Sequence, residues 1–165
     1  MSISSPARTR QPHRVPASPL CVHPDSWFGS TPAAPESAVR LELASGASAS
    51  PVGGAWWPWS RNLAAQAPQL LAAVGSACGS RVVHVVYDRG SWESVPHRLP
   101  VGDRYVKCGW FDLADPHQVS LRLYDGRRLV LLVVPPDTGR RTALRAMHQA
   151  ADPHNRLSPG QILPR

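Results

Sequence analysis

The chain has 165 residues, a formal net charge of +7 and a sequence pI near 10.3. That length fits one core of ordinary size rather than two comfortable domains, and no apolar run approaches the roughly 18 residues of a membrane span. The odd set Cys21, Cys78 and Cys108, with no CxxC spacing, argues against a disulfide framework and a structural zinc site, and points to a reducing, cytoplasmic setting.

Up to residue 38, prolines at 6, 12, 16, 19, 24, 32 and 35 punctuate a Ser-, Ala- and Arg-rich stretch without an apolar period. This is the composition of a disordered tail, in which Trp27-Phe28 is the one feature able to dock. A short strand is expected at 39–43, where Val39, Leu41 and Leu43 alternate with Arg40 and Glu42. A Gly/Ser/Ala linker leads to Gly54-Ala55-Trp56-Trp57-Pro58-Trp59-Ser60-Arg61-Asn62-Leu63, which holds three of the six tryptophans. Ser60 is the expected N-cap of a helix carrying Leu63, Leu70, Leu71 and Val74, kinked or restarted at Pro68 and ended by Gly75 and Gly79.

Beyond Gly79 the period becomes that of strands. Segment 81–87 is rich in valine, 95–101 and 105–111 bracket Gly102-Asp103, and 119–124 and 127–134 flank Asp125-Gly126, the strongest hairpin signal in the chain. A two-residue turn there sets Leu121 opposite Val130 and Leu123 opposite Arg128. Val119, Leu121, Val130 and Leu132 then share one face, and Leu129, Leu131 and Val133 the other. Apolar residues on both faces mark a central strand covered on each side, at least partly by a helix. Pro135-Pro136 stops it, and Thr138 caps a last helix at 139–151 whose stripe is Ala143, Leu144, Met147 and Ala151. The expected architecture is α+β: a largely antiparallel sheet of five or six strands with two helices. Its expected limits are a disordered tail at 1–38, a single domain at 39–152 and a flexible C-terminal tail at 153–165.

Trp56, Trp57 and Trp59 form a candidate aromatic wall, with Arg61 as an anion hook beside a helix N-terminus and Trp92 and Trp110 completing it. Tryptophan also dominates cores, and chain alternation turns neighbours opposite ways, so at most some of the three line one pocket. Asp115-Pro116-His117 sets a carboxylate and an imidazole two residues apart, a spacing open to acid/base work if the loop folds over a cleft. Asp-Pro equally opens a turn, and the imidazole then caps the next strand. His84 and His97 form no HxH or HxxxH pair, so neither a metal nor a cofactor is expected. There is no GxSxG elbow, Cys78 sits at a helix end, and 75–80 lacks the lysine of a phosphate loop; no catalytic residue is assigned.

The charge admits a nucleic-acid partner. Arg127 and Arg128 on a hairpin and Arg140, Arg141 and Arg145 on the last helix are the candidate phosphate-contacting face. Yet only Lys107 of the 18 basic residues is lysine, and the arginines are spread along the chain. A solvated basic surface explains that spread more cheaply.

Two segments, Gly54-Ala55-Trp56-Trp57-Pro58 with Ser60-Arg61, and then Leu131-Leu132-Val133-Val134-Pro135-Pro136-Asp137-Thr138, occur in that order. They resemble the signatures of an uncharacterised actinobacterial family, a domain of unknown function, over roughly residues 39–151. The family pattern reads Asp-Gly-Ala-Trp-Trp-Pro-Arg-Ser-x-Asp-Leu. Gly53, Trp59 and Asn62 stand here where that pattern has Asp, Arg and Asp, its most polar positions. The resemblance implies lineage and fold, and no reaction or ligand. The leading functional expectation is a small binding or accessory domain, not an enzyme, whose aromatic corner receives a small ligand or a partner segment. A basic nucleic-acid-associated protein is the alternative, and a hydrolase-like enzyme using Asp115 and His117 comes last.

Overall fold

A computed structural model describes residues 38–45, 50–94, 96–111 and 115–163. The tail expected at 1–38, with Trp27, Phe28 and Cys21, lies outside the described residues except for its last position. Seven strands make one sheet: β1 (Leu41–Leu43), β2 (Gly54–Trp56), β3 (Val82–Asp88), β4 (Arg98–Val101), β5 (Arg104–Phe111), β6 (Gln118–Leu123) and β7 (Arg128–Val133). Their lateral order is β1-β2-β7-β6-β3-β5-β4. The pairs β1/β2, β7/β6, β6/β3 and β5/β4 are antiparallel, whereas β2/β7 and β3/β5 are parallel.

The sheet therefore has seven strands rather than five or six, and although most of its pairs are antiparallel it is mixed, with two parallel pairs. The unexpected strand is β2, three residues inside a segment that reads as the approach to a helix. Gly54 makes it possible: its φ is +148°, and a Cβ there would lie 2.9 Å from the Leu43 Cα and against the Glu42 carbonyl oxygen. Only glycine lets the β1 and β2 backbones approach so closely.

The described residues hold three helices rather than two: α1 (Leu63–Cys78), α2 (Arg140–Ala151) and the four-residue α3 (Pro159–Ile162), together with a 3-10 turn at Arg89–Ser91. Helix α1 runs unbroken through Pro68, which removes one hydrogen-bond donor from the ladder. Its N-cap is Asn62, not Ser60. The Asn62 side chain accepts the Ala65 amide at 3.1 Å, while Ser60 Oγ accepts the Asn62 amide at 3.4 Å. Gly79, left-handed at φ 62°, closes the other end. Gly139 rather than Thr138 occupies the N-cap of α2, without a side-chain cap.

The two hairpins differ in kind. Gly102 alone takes positive φ in the two-residue β4–β5 turn, the type II′ pattern that matches strand twist. At the β6–β7 turn the loop has three residues, Tyr124, Asp125 and Gly126. The Gly126 amide donates to Leu123 O at 3.1 Å, and the Leu123 amide donates to Arg127 O at 2.9 Å. Gly126, at φ 90°, absorbs the extra residue as a bulge. The register consequently shifts by one: Leu121 faces Leu129, and Arg122 faces Arg128. Val119, Leu121, Leu129 and Leu131 share one face, and Val130 and Leu132 belong to the other, which corrects the pairing drawn from a two-residue turn.

Both faces of β7 are covered, as apolar alternation implied. On one side α1 packs Leu63, Ala67, Leu70, Leu71 and Val74 against Trp56, Val85, Tyr87, Leu99, Val106, Val119, Leu121 and Leu131. On the other, α2 buries Ala143, Ala146, Met147 and Ala150 over Ala55, Trp57, Leu132 and Val134. The stripe of α2 thus runs through Ala146 and Ala150, while Leu144 is 43% exposed. This second helix packs on β1, β2 and β7. After α2, residues 153–163 fold back rather than trail away: Asn155, Pro159 and Leu163 are buried, and α3 packs on α2 and β7. Asn155 holds this segment by accepting the Leu157 amide and donating to Leu157 O, both at 3.1 Å.

Candidate functional site

The antiparallel strand β6 lies between β7 and β3, so β2, β7, β3 and β5 all point the same way. Their C-terminal ends gather on one edge of the sheet with the start of β6 and of α1. In sheets containing parallel strands this edge is where ligand sites form, because chains leaving in different directions open a crevice. A cleft of about 380 Å³ lies there. Pro58 and Arg61 come from the β2–α1 connection, Asp88, Ser91 and Trp92 from the end of β3, His117 from the start of β6, and Val133, Pro135 and Pro136 from the end of β7. Backbone bonds brace its walls: the Glu93 amide donates to Arg61 O at 3.1 Å and the Val133 amide to His117 O at 2.8 Å.

Asp88 is the distinctive polar group of the cleft. It is buried, at 9% exposure, and its Oδ2 accepts the Ser91 hydroxyl at 2.8 Å. Ser91 Oγ also lies 3.0 Å from the Pro116 carbonyl, so its single proton is shared between two acceptors. Among the described residues no cation lies within ion-pair distance of Asp88. Arg61, by contrast, stands at the rim and pairs with Asp137 at 3.4 Å, both side chains well exposed. Chemically the cleft offers an apolar wall, a buried acceptor and a peripheral cation. Sequence reading missed Asp88 and Ser91, because an acid ending a valine-rich strand carries no local motif.

The tryptophans do not form one wall. Alternation along β2 sends Trp56 to the α1 side, where it stacks on Trp92 at 5.4 Å and 20°, and Trp57 to the α2 side. Trp92 lines the cleft with Trp56 behind it. Trp57 is buried with its indole Nε1 lacking a hydrogen-bond partner. Trp59 donates its indole N–H to Ala38 O at 2.9 Å. The guanidinium of Arg40 sits between these last two rings, 3.6 Å from the Trp57 centroid and 3.8 Å from that of Trp59. Arg40 also donates to Trp57 O at 2.8 Å and Pro58 O at 2.6 Å, and burial lowers its pKa from the usual arginine value. Trp110 stands elsewhere, edge-on to His97 at 4.7 Å. Of the six aromatic-corner residues, the structure brings Arg61 and Trp92 to the cleft, with Trp56 as backing.

Asp115 and His117 are not joined side chain to side chain. One Asp115 oxygen accepts the His117 backbone amide at 3.0 Å and the other accepts the Gly160 amide of α3. This carboxylate clamps the chain, whereas His117 lines the cleft with Asp88. Burial pushes the Cys108 thiol up to about 11, so it is held as the poorly nucleophilic thiol. Among the described residues no group of three metal-binding side chains converges, and no helix is long and apolar enough to cross a membrane.

A family model described as a family of unknown function (DUF5994) matches residues 40–150. The chain belongs to that family. No curated protein and no solved structure matches it. The matched span contains β1 to β7, α1 and nearly all of α2, hence every lining residue of the cleft. Gly53, Trp59 and Asn62, which set this sequence apart from the pattern it resembles, each have a structural role. Asn62 caps α1, a role that asparagine and aspartate fill equally. Gly53 carries backbone pairing through its amide to Val130 O at 2.8 Å, and Trp59 is one of the two rings enclosing Arg40. None of the three lines the cleft.

Proposed function

We propose that this DUF5994 protein is a small-ligand-binding accessory domain whose site is the cleft between the ends of β3 and β7. The observation that carries this reading is Asp88, a buried carboxylate that has no paired cation among the described residues and shares the cleft with the indole of Trp92 and the imidazole of His117. Keeping a carboxylate out of water is unfavourable unless donors satisfy it, and among the described residues Ser91 supplies only part of one. The complementary ligand therefore brings a hydrogen-bond donor, an amine or a hydroxyl, to Asp88. Its apolar body lies along Trp92, Val133 and Pro135, and any anionic group reaches outward to Arg61.

The test is a thermal-shift and tryptophan-fluorescence screen of amine- and hydroxyl-bearing metabolites against the full chain. Ligands are expected to raise the melting temperature, quench or shift emission through Trp92, and lose about tenfold or more in affinity in Asp88→Asn, since a hydrogen bond to a charged group is worth about 1.5–3 kcal/mol. His117→Ala should weaken the same ligands less. A screen without stabilisers, or ligands held equally by wild type and Asp88→Asn, sinks the proposal.

A further inference from the structure

Helix α2 covers only part of its face of the sheet, the part formed by β1, β2 and β7. The strand register shows what stands on the remainder. Arg98 on β4 is paired with Lys107 on β5, Lys107 with His84 on β3, His84 with Arg122 on β6, and Arg122 with Arg128 on β7. Directly paired residues project to the same side of a sheet, so these five form one transverse row across five strands, about 19 Å long at the usual strand spacing. The row lies on the α2 side because Gln118, Ser120 and Arg122 alternate along β6 and Gln118 pairs with Leu132, which α2 covers.

Four of the five are exposed and His84 is half-buried. Among the described residues none of the five enters an ion pair. Like charges directly opposite on neighbouring strands are destabilising. Scattered surface arginines explain a basic pI, but they do not explain one unbroken row at the same level of consecutive strands. The neighbouring positions are small or apolar, and two of them bear on the row: the His84 imidazole lies over Gly109, where a Cβ would come within 3.4 Å, and Arg128 donates to Ser120 Oγ at 3.3 Å. Tyr105, two residues before Lys107 on the same strand and face, is 71% exposed.

We infer that this open half of the sheet binds a single-stranded nucleic acid, its phosphates along the row Arg98–Lys107–His84–Arg122–Arg128 and a base stacked on Tyr105. Transverse cations match the repeating charge of a phosphate backbone, and an exposed aromatic beside them supplies the sequence-tolerant stacking that separates single strands from duplexes. The surface is distinct from the cleft at the strand ends and does not depend on it.

The probe is a fluorescein-labelled oligothymidylate of about 12 nucleotides, titrated with the full chain by anisotropy. Four phosphate contacts give a slope of about −3 for log affinity against log salt. Lys107→Glu/Arg122→Glu should weaken binding at least tenfold and reduce the slope to about −1.5. The melting temperature of that variant should hold or rise, because each new carboxylate faces cations. Arg140→Glu/Arg141→Glu on α2 removes the same charge elsewhere and should change affinity less than twofold. Tyr105→Ala should cost about tenfold. If the row pair unfolds the protein, Lys107→Gln/Arg122→Gln takes its place with the same expectation. Absence of binding at low salt, equal loss in both charge-reversal pairs, or equal affinity for the matching duplex or for heparin each overturns the assignment.

Discussion

Arg40 shows how a single residue organises its surroundings here. It opens the matched family span, lies just before β1, and inserts its guanidinium between Trp57 and Trp59 while its N–H groups take the Trp57 and Pro58 carbonyls. A planar cation with a fixed fork of donors does both at once, and lysine does not. Arg40→Ala is expected to destabilise the fold by about 2 kcal/mol and Arg40→Lys by about half that, measured by urea denaturation. Trp59 emission should shift to the red in both. In the sequence Arg40 reads as the polar half of an alternating strand. Its partners are 17 and 18 residues away, and no local rule connects them.

Among the elements, the β6–β7 hairpin carries the clearest pH signature. Asp125 accepts both the backbone amide and the side chain of Arg127, at 3.0 and 2.8 Å, and these bonds lower its pKa from 3.8 to about 2. A carboxyl whose folded pKa is depressed stabilises the fold above its unfolded pKa and loses that contribution as the pH falls through the folded value. The hairpin's share of stability should therefore be complete above about pH 4 and fade from there towards pH 2. Thermal melts of wild type and Asp125→Asn should differ above that window and converge within it. The Asp125-Gly126 pair announced a hairpin from sequence. It did not announce the third loop residue, because Gly126 serves a bulged loop as readily as a two-residue turn. That one residue exchanges the faces of the paired strand, and only packing against α1 and α2 selects between the alternatives.

For the whole molecule, the C-terminal segment tests how far the folded unit extends. Leu163 is buried under α2, Asn155 is buried at the turn, and Asp115 accepts the Gly160 amide, although the family match stops at residue 150. Removing residues 153–165 is expected to destabilise the protein by about 2–4 kcal/mol, read as a fall in melting temperature, since it exposes apolar surface of α2 and leaves the Asp115 carboxylate short of a donor. A domain boundary at 152 with a flexible tail beyond it predicts no change. A short segment of this kind is held by particular side chains rather than by an apolar period, so no local pattern announces it.

The sequence by itself determined the mixed α and β content, the positions of α1 and α2, both hairpins, and a central strand buried on each side. Those features rest on local preferences: alternation, helical spacing, glycine at positive φ and proline as a stop. Tertiary structure decided the rest. It paired β2 with β7, although 77 residues separate Ala55 from Leu132, and so decided which helix covers Trp56 and which covers Trp57. It gathered Arg61, Asp88, Trp92 and His117 at one edge of the sheet and aligned Arg98, Lys107, His84, Arg122 and Arg128 across five strands. Neither grouping exists along the chain, because strand order and register arise from long-range packing.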